Sequence, residues 1–243
     1  MTGAGEPTLG IIGGAGVGAA AALDAEVAAI VRGATGALPR IALWNLPLDD
    51  ALEHAFTAAE PDLAMRARVA ELIGEAVERL LAAGATTIAM PRNSLQRVAA
   101  AQSERRAVPF IDMIAATIAD VRARGAERAL LIATDATHAG GIYAGLGIAL
   151  AAPRAELHDE IVALIERAVG GHAPAAAELE DLIARARARA RARARGAQDA
   201  VLLGCTDICG LLAAPSAQRL GVVESLHSLA VRCARALGAP AGG

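Results

Sequence analysis

The chain has 243 residues, 55% of them hydrophobic, and a formal net charge of −3 at pH 7. This length supplies one large domain or two small ones, each with its own core. All 23 basic residues are Arg, a bias typical of GC-rich coding, so the composition does not predict a nucleic-acid partner.

The first apolar stretch, LGIIGGAG, follows no basic segment and is too short and too Gly-rich to span a bilayer. We therefore expect a cytoplasmic protein with no membrane partner. The cysteines Cys205, Cys209 and Cys233 form neither a disulfide framework nor a four-ligand metal set, so no metal site is predicted. A functional cysteine in this chain is expected to act as a thiol.

Short β-rich runs alternate with longer helical patterns along the chain. Residues 63–83 have apolar side chains at helical spacing, and Gly84 supplies a stop. This alternation predicts βαβ units with parallel sheets, whose strands are mostly buried on both faces. The predicted strands are 8–14, 40–47, 86–91, 108–113, 128–134 and 199–204.

The segment 185–196, RARARARARARG, alternates like a strand but consists of two good helix formers. At 100° per residue, its alanines continue one stripe with the preceding apolar residues. We predict a helix that packs this stripe on a sheet and turns its arginines to solvent. The stripe comprises Leu179, Ile183, Ala186, Ala190 and Ala194.

The two halves of the chain contain similar segments. TLGIIGGAGVGAA and RALLIATDATHAGG each run from a strand into a loop of small or hydroxyl residues. Each is followed by a later strand whose end carries a polar tip, AMPRNS in the first half and LLGCTD in the second. The chain therefore reads as two α/β lobes related by an internal repeat, with ligands expected beyond the carboxyl ends of the strands.

These segments together resemble the cofactor-independent aspartate/glutamate racemase superfamily over nearly the whole chain. LGIIGGAG, MPRNS, ATDATHAGGIY and LGCTD match its opening strand, its Pro-Cys-Asn-[Ser/Thr] tip, its Thr-rich loop and its Gly-Cys-Thr tip. VVESLHSLA is similar to a late acidic-hydroxyl-His segment, with shortened spacing. The chain departs from this family pattern at the first thiol position, which is occupied by Arg92.

The resemblance implies two similar Rossmann-like lobes with parallel sheets, related by a pseudo-twofold, and an active site in the cleft between them. We expect residues 1–110 with 221–243 to form the first lobe, and 111–220 the second. It also implies an isomerase that needs no cofactor, acts on a small carboxylate and forms a homodimer.

The family's chemistry uses one thiol on each face of the α-carbon. Cys205 matches the second thiol and is the predicted acid/base. Arg92 stays protonated in proteins and cannot serve as the other base, but its planar guanidinium can bind a carboxylate. The residues expected to bind substrate are Asn93, Ser94, Thr134, Thr137, Thr206 and His227, the last of which could instead orient Cys205.

Three functions remain open at this point. The first is an amino-acid racemase or isomerase of the aspartate/glutamate type. The second is a single-thiol decarboxylase of a malonate-type acid, because the decarboxylase branch of the family also has one thiol. The third is a non-catalytic carboxylate-binding homologue, since the family's charged anchors are absent near Leu52 and Asp159.

A nicotinamide enzyme is disfavoured, because the glycines of GGAGVGAA, residues 13–20, do not fit the Gly-x-Gly-x-x-Gly spacing. These glycines are expected to let the backbone approach a small anion at a helix N-terminus.

Overall fold

The computed structural model describes residues 6–14, 18–48, 52, 63–172, 174–193 and 200–240. The chain divides into two compact units, Met1–Met113 with Leu229–Gly243, and Ile114–Ser228. Each unit has a parallel four-stranded sheet with helices. The prediction of two α/β lobes with parallel sheets is therefore confirmed.

The first unit contains a sheet of order β2-β1-β3-β4, in which every strand pair is parallel. Its elements are β1 (Thr8–Gly13), α1 (Ala19–Thr35), β2 (Arg40–Asn45), α2 (Leu63–Ala82), β3 (Thr87–Ala89), α3 (Gln96–Glu104) and β4 (Phe110–Ile111).

The second unit repeats this connectivity with the sheet order β6-β5-β7-β8, again with parallel pairs only. Its first and last helices, α4 and α9, each cross the division between the units. Its elements are α4 (Met113–Ala123), β5 (Arg128–Ile132), α5 (Asp135–Ala139), β6 (Ala149–Ala151), α6 (Ala155–Val169), α7 (Ala176–Arg193), β7 (Ala200–Leu203), α8 (Ala214–Leu220), β8 (Val222–Glu224) and α9 (Ser225–Ala236).

The core of the second unit follows the two-residue period of its strands. Leu130 and Ile132 of β5 pack in a cluster with α6 and α7, whereas Ala129 and Leu131 pack in another cluster with α4. Both faces of the central strands are therefore covered, as in a parallel sheet between helices. The strands β1, β3 and β7 are likewise buried throughout.

The edge strand β2 is an exception to the predicted burial. Most of its residues are exposed, including Leu43 and Trp44. It pairs with β1 on one side only within the described residues, so one of its edges lacks a neighbouring strand there. An edge position, which an apolar run does not reveal, explains the difference.

Both predicted helical patterns are confirmed. The apolar stripe of α2 is buried, and Gly84 follows the helix with a positive φ of 91°, a conformation that suits glycine. In α7, Leu179, Ile183 and Ala186 are buried and Ala190 packs against the same cluster. Ala194 lies outside the described residues.

The arginines of α7 do not all extend into solvent as predicted. Arg185 is half-buried and forms ion pairs with Glu160 of α6 and Asp181. The guanidinium of Arg187 donates to the carbonyl of Leu220. The helix therefore uses part of its basic side to contact neighbouring helices.

Two short strands, β6 and β8, lie outside the predicted set. β8 pairs with β7, from Val201 opposite Val222 to Leu203 opposite Glu224. The second unit accordingly extends to Ser228, beyond the boundary at 220 expected from the sequence. Short apolar runs cannot be assigned to a strand or a helix by periodicity alone.

Candidate active site

The first unit places Arg92 just beyond the end of β3. The chain leaves Ala89 through Met90 and Pro91, and Arg92 adopts an extended conformation (φ −141°, ψ 114°) before a 3₁₀ turn at Asn93–Leu95. We call residues 90–95 the arginine tip. Its backbone is held by bonds from the Arg92 amide to the Met90 carbonyl (2.9 Å) and from the Leu95 amide to the Arg92 carbonyl (3.3 Å).

The arginine tip is enclosed rather than exposed. Arg92 is only 8% exposed and Asn93 is also buried, whereas Ser94 is half-buried. A buried guanidinium is unfavourable unless acceptors or anions surround it. The Arg92 side chain is therefore withdrawn from solvent. A carboxylate-binding role requires such an enclosed position.

The second unit builds a matching turn around Cys205, just beyond the end of β7. Cys205 is extended (φ −126°, ψ 123°) and precedes a 3₁₀ turn at Thr206–Ile208. We call residues 203–208 the cysteine tip. Cys205 is 7% exposed, Thr206 is buried, and the Cys205 thiol lies 3.7 Å from a carboxylate oxygen of Asp207.

Gly204 is required by crowding at the cysteine tip. A Cβ at this position would lie 2.8 Å from Cδ1 of Leu131 and 3.4 Å from Cε2 of Tyr143, both of which are buried. The Gly204 amide also donates to the Ile132 carbonyl at 2.8 Å, which ties the tip to β5. The glycine before the thiol therefore allows the tip to pack closely on the neighbouring strand.

The other two cysteines, the half-buried Cys209 and the buried Cys233, are thiols with raised pKa values. Burial raises the pKa of Cys209 well above 9.0, with further contributions from Glu224 and Cys205. Burial also raises the pKa of Cys233 in α9 to about 12. Both side chains stay protonated at neutral pH, so neither supplies a thiolate.

Thr134 and Thr137 lie together in the second unit, at the start of α5. Thr134 is the N-cap: its hydroxyl oxygen accepts from the Thr137 amide at 3.4 Å and lies 3.2 Å from the Thr137 hydroxyl. Since Ile132 pairs with Leu203, Thr134 and Cys205 each lie two residues beyond paired positions of adjacent strands. The structure therefore brings these threonines to the same sheet edge as the cysteine tip.

A histidine pair that the sequence analysis did not single out lies beside these threonines. The rings of His138 and His158 meet edge to face at 5.1 Å, and His158 bonds to the carboxylate of Asp135 at 2.5 Å. Burial and the nearby His158 lower the pKa of His138, while Asp135 opposes this shift. His138 and Thr137 also line a mainly apolar cavity of about 200 Å³ with Tyr143.

His227 lies in the first turn of α9, and its side chain is exposed. Its predicted role in orienting Cys205 or binding substrate stays a prediction. Among the described residues, no group of three or more His, Cys, Asp or Glu side chains is placed to hold a metal ion.

The glycines after β1 are used by the chain itself. A Cβ on Gly13 would lie 2.3 Å from the Asn45 side chain, and one on Gly14 would lie 2.4 Å from the Leu46 amide nitrogen. Gly14 also has a positive φ of 85°. Close approach of Asn45 at the end of β2 and of Leu46 beyond it therefore accounts for both glycines, and the anion expected near this segment stays a prediction. Residues 15–17 lie outside the described part.

Sequence reasoning missed Gln96 and the contacts of Cys209. Gln96 begins α3, is 2% exposed, and bonds to three backbone groups around the arginine tip. Cys209 contacts the carbonyls of the cysteine tip. Each lies four residues after the tip side chain, a shared spacing that a comparison of the two halves could have revealed.

The two units, each with a parallel sheet, and their matched tips define a two-lobed α/β protein with a polar residue just beyond the third strand of each sheet. The Asp/Glu/hydantoin racemase family model matches residues 12–233. The chain therefore belongs to the Asp/Glu/hydantoin racemase family. No curated protein matches it by sequence.

Solved structures share the fold at low identity. An aspartate racemase from Picrophilus torridus is 22% identical with a TM-score of 0.73, and the match covers 97% of this chain and 96% of that one. An aspartate racemase homologue from Pyrococcus horikoshii is 20% identical with a TM-score of 0.72, covering 93% and 96%. An unliganded arylmalonate decarboxylase is 22% identical with a TM-score of 0.61, covering 97% and 94%.

Within the described residues, no helix is both long enough and apolar enough to cross a membrane.

Proposed function

We propose that the protein is an enzyme that moves a proton at the α-carbon of a small carboxylate of the aspartate/glutamate type, with Cys205 as its acid/base. One observation carries the proposal: equivalent strand ends with nearly the same backbone conformation present a thiol in one unit and a guanidinium in the other. Of the two, only the thiol can exchange a proton at ordinary pH.

Proton transfer proceeds on one face of the α-carbon. The Cys205 thiolate removes the α-proton, so a C–H bond breaks, an S–H bond forms, and the electron pair enters an enediolate. The thiol then returns a proton to the same face. Arg92 binds the carboxylate and stabilises the negative charge that develops on it. Electrostatic stabilisation of this kind is usually the largest single contribution to a lowered activation barrier.

The hydroxyl and amide side chains complete the proposed carboxylate site. Donors at strand ends can hold the carboxylate oxygens in place while charge accumulates. The proposed binding residues are Asn93, Ser94, Thr134, Thr137 and Thr206, with His227 as a further one.

Decarboxylation of a malonate-type acid is the second candidate, and Arg92 favours it. Loss of CO₂ breaks a C–C bond and leaves its electron pair in an enediolate, which the Cys205 thiol protonates on one face. This reaction needs one acid and a cation at the carboxylate that is retained, where the enediolate charge develops, whereas racemisation needs proton delivery to both faces.

Exchange in D₂O tests the proposal. Wild-type protein incubated with each enantiomer of aspartate and glutamate should incorporate deuterium into one enantiomer, with slow or absent inversion, as followed by mass spectrometry and chiral chromatography. Arg92→Cys supplies the missing thiol and should raise inversion relative to exchange. Brisk inversion by the wild type, lost in Cys205→Ser, would mean that a second base is already present.

A parallel assay with malonate-type acids separates the remaining candidates. CO₂ release that depends on Cys205, without amino-acid exchange, would assign the decarboxylase function. Tight carboxylate binding with neither reaction would assign a non-catalytic homologue. A homodimer is also proposed, and sedimentation should give twice the chain mass of 24.5 kDa.

A further inference from the structure

Gln96 connects the two ends of the β3–Arg92 segment with the helix that follows β4. Its side-chain Nε2 donates to the carbonyl of Met90 at 2.5 Å and to that of Arg92 at 3.2 Å. Its Oε1 accepts from the amide of Met113, the first residue of α4, at 3.0 Å. One buried amide therefore contacts the end of β3, the tip residue and the helix that follows β4.

Cys209 makes the corresponding contacts in the second unit. Its Sγ lies 4.0 Å from the carbonyl of Leu203 and 3.4 Å from that of Cys205. It also lies 3.9 Å from the hydroxyl of Ser225, the first residue of α9. Gln96 and Cys209 thus each lie four residues after the tip residue and contact its carbonyl, the carbonyl two residues earlier, and the first residue of the helix after the fourth strand.

Both Gln96 and Cys209 can donate hydrogen bonds to backbone carbonyl groups. The Gln96 amide provides two N–H donors and one acceptor, and each of the three contacts uses one of them. A thiol is a weaker donor, and it can donate only while protonated. Burial, which raises the pKa of Cys209, keeps that proton in place.

These contacts bear on how the tips are held. Short 3₁₀ turns have poorer hydrogen-bond geometry than α-helices, and in both tips the residue before the turn provides no side-chain cap. A side chain that bridges the strand end, the tip and the next helix restrains the backbone from which Arg92 or Cys205 projects. Catalytic and binding side chains work best when their support fixes them in this way.

We propose that Gln96 and Cys209 are equivalent positioning residues, which hold Arg92 and Cys205 respectively by binding the backbone of the tip. The proposal rests on the proposed function in that Arg92 and Cys205 are the working residues. Gln96 and Cys209 themselves act through the tips and do not react.

The first test measures alkylation of Cys205 by iodoacetamide, followed by peptide mass spectrometry, and needs no substrate. Cys209→Ala removes the donor, whereas Cys209→Ser keeps a hydroxyl that can donate to the same carbonyls. We expect alkylation of Cys205 to be about fivefold faster in Cys209→Ala, as befits a lost hydrogen bond, and close to wild type in Cys209→Ser. Cys233→Ala, which removes a buried thiol elsewhere, is the control for packing alone and should leave the rate unchanged.

The second test measures modification of Arg92 by phenylglyoxal, again by peptide mapping. Gln96→Met keeps the side-chain volume and removes all three polar contacts. We expect modification of Arg92 to be about fivefold faster in this variant. The matched control is Gln102→Leu: Gln102 is a buried glutamine of the same helix whose Oε1 accepts from Arg106, so Arg92 should react at the wild-type rate.

Kinetic constants for the substrate identified by the exchange and malonate assays give a third measurement. Gln96→Met should raise KM with little change in kcat, and Cys209→Ala should lower kcat, with Cys209→Ser restoring it. A wild type without turnover would overturn the proposed function while the two labelling tests still decide the positioning roles. Wild-type labelling rates in folded Gln96→Met and Cys209→Ala, or equal rates in Cys209→Ala and Cys209→Ser, would overturn the positioning proposal.

Discussion

The arginine tip and the cysteine tip have similar backbone conformations and differ in the residue before the 3₁₀ turn, which is Arg92 in one and Cys205 in the other. Each follows the third strand of a sheet with the same order, passes through an extended residue and enters a three-residue 3₁₀ turn. The φ and ψ angles of Arg92 and Cys205 differ by only about 15° and 9°. The fold therefore specifies where a side chain is presented, and a single substitution changes what it can do.

The supports of the two tips differ in strength. Gln96 can make three ordinary hydrogen bonds, whereas Cys209 provides one weak S–H donor among several acceptors. The cysteine tip compensates with close packing, because Gly204 lies against Leu131 and Tyr143. We infer that hydrogen bonding restrains the arginine tip more, and packing restrains the cysteine tip more.

The largest expected effect comes from removing the tip thiol. Cys205→Ser replaces the proposed acid/base with a hydroxyl that does not ionise at neutral pH, so turnover should fall about 100- to 10,000-fold. Thermal unfolding should change little, since the two side chains are similar in size. The kcat of Cys205→Ser, with Cys233→Ser as the control, checks this. Retained kcat would leave the thiol without a catalytic role.

The buried thiol of Cys233 should affect stability at alkaline pH. The pKa of Cys233 rises from 9.0 to about 12 on folding, so the folded state keeps a proton that the unfolded state loses. Its contribution is fully present below pH 9.0 and is lost as pH rises through the folded pKa, amounting to about 4 kcal/mol by the end of that range. Unfolding free energies by urea titration between pH 8 and 11 should therefore show about 3 kcal/mol of this loss.

The Cys233→Ala variant provides the contrast for the alkaline measurement. It should lose stability at neutral pH through the cavity it creates, yet show a shallower decline above pH 9. A decline as steep as that of wild type would assign the alkaline effect to other groups.

At the arginine tip the expected effect is on binding. Loss of charge-assisted hydrogen bonds in Arg92→Met should raise KM for the substrate about 10- to 100-fold. Arg92→Lys keeps the charge but not the planar fork, so an intermediate KM is expected. The Arg92→Met/Cys205→Ser double variant tests whether both tips act on one ligand: additive losses in kcat/KM would argue that they act separately.

Much of the fold was predictable because its signals are local. Buried parallel strands leave apolar runs, and α2 and α7 carry stripes at helical spacing. The exposed edge strand β2 and the short strands β6 and β8 were misjudged or missed, since burial and pairing at a sheet edge depend on neighbours distant in sequence.

The candidate site was predictable only as far as its motifs extend. Arg92, Cys205, Thr134 and Thr206 lie within three residues of strand ends, where the repeat predicted them, and Thr137 lies in the helix that follows. Gln96 was not found because its role depends on Met113, which is 17 residues away and carries no motif. The close contacts of Gly13 and Gly14 with Asn45 and Leu46 were not found either, since no local pattern shows them.

The smallest expected effect concerns the ends of β1 and β5, the first strands of the two sheets. β1 ends at Gly13 and is followed by Gly14, whereas β5 is followed by the capping residue Thr134. Thr134→Ala removes the N-cap acceptor of α5, and should lower the free energy of unfolding by about 1 kcal/mol. Thr134→Ser keeps the oxygen and should stay near wild type. If the hydroxyl serves the cap alone, KM is unchanged in both variants; if it also binds the carboxylate, KM rises in Thr134→Ala and not in Thr134→Ser. Urea titration and steady-state kinetics on the same preparations separate these roles, and unchanged stability in Thr134→Ala would contradict the cap.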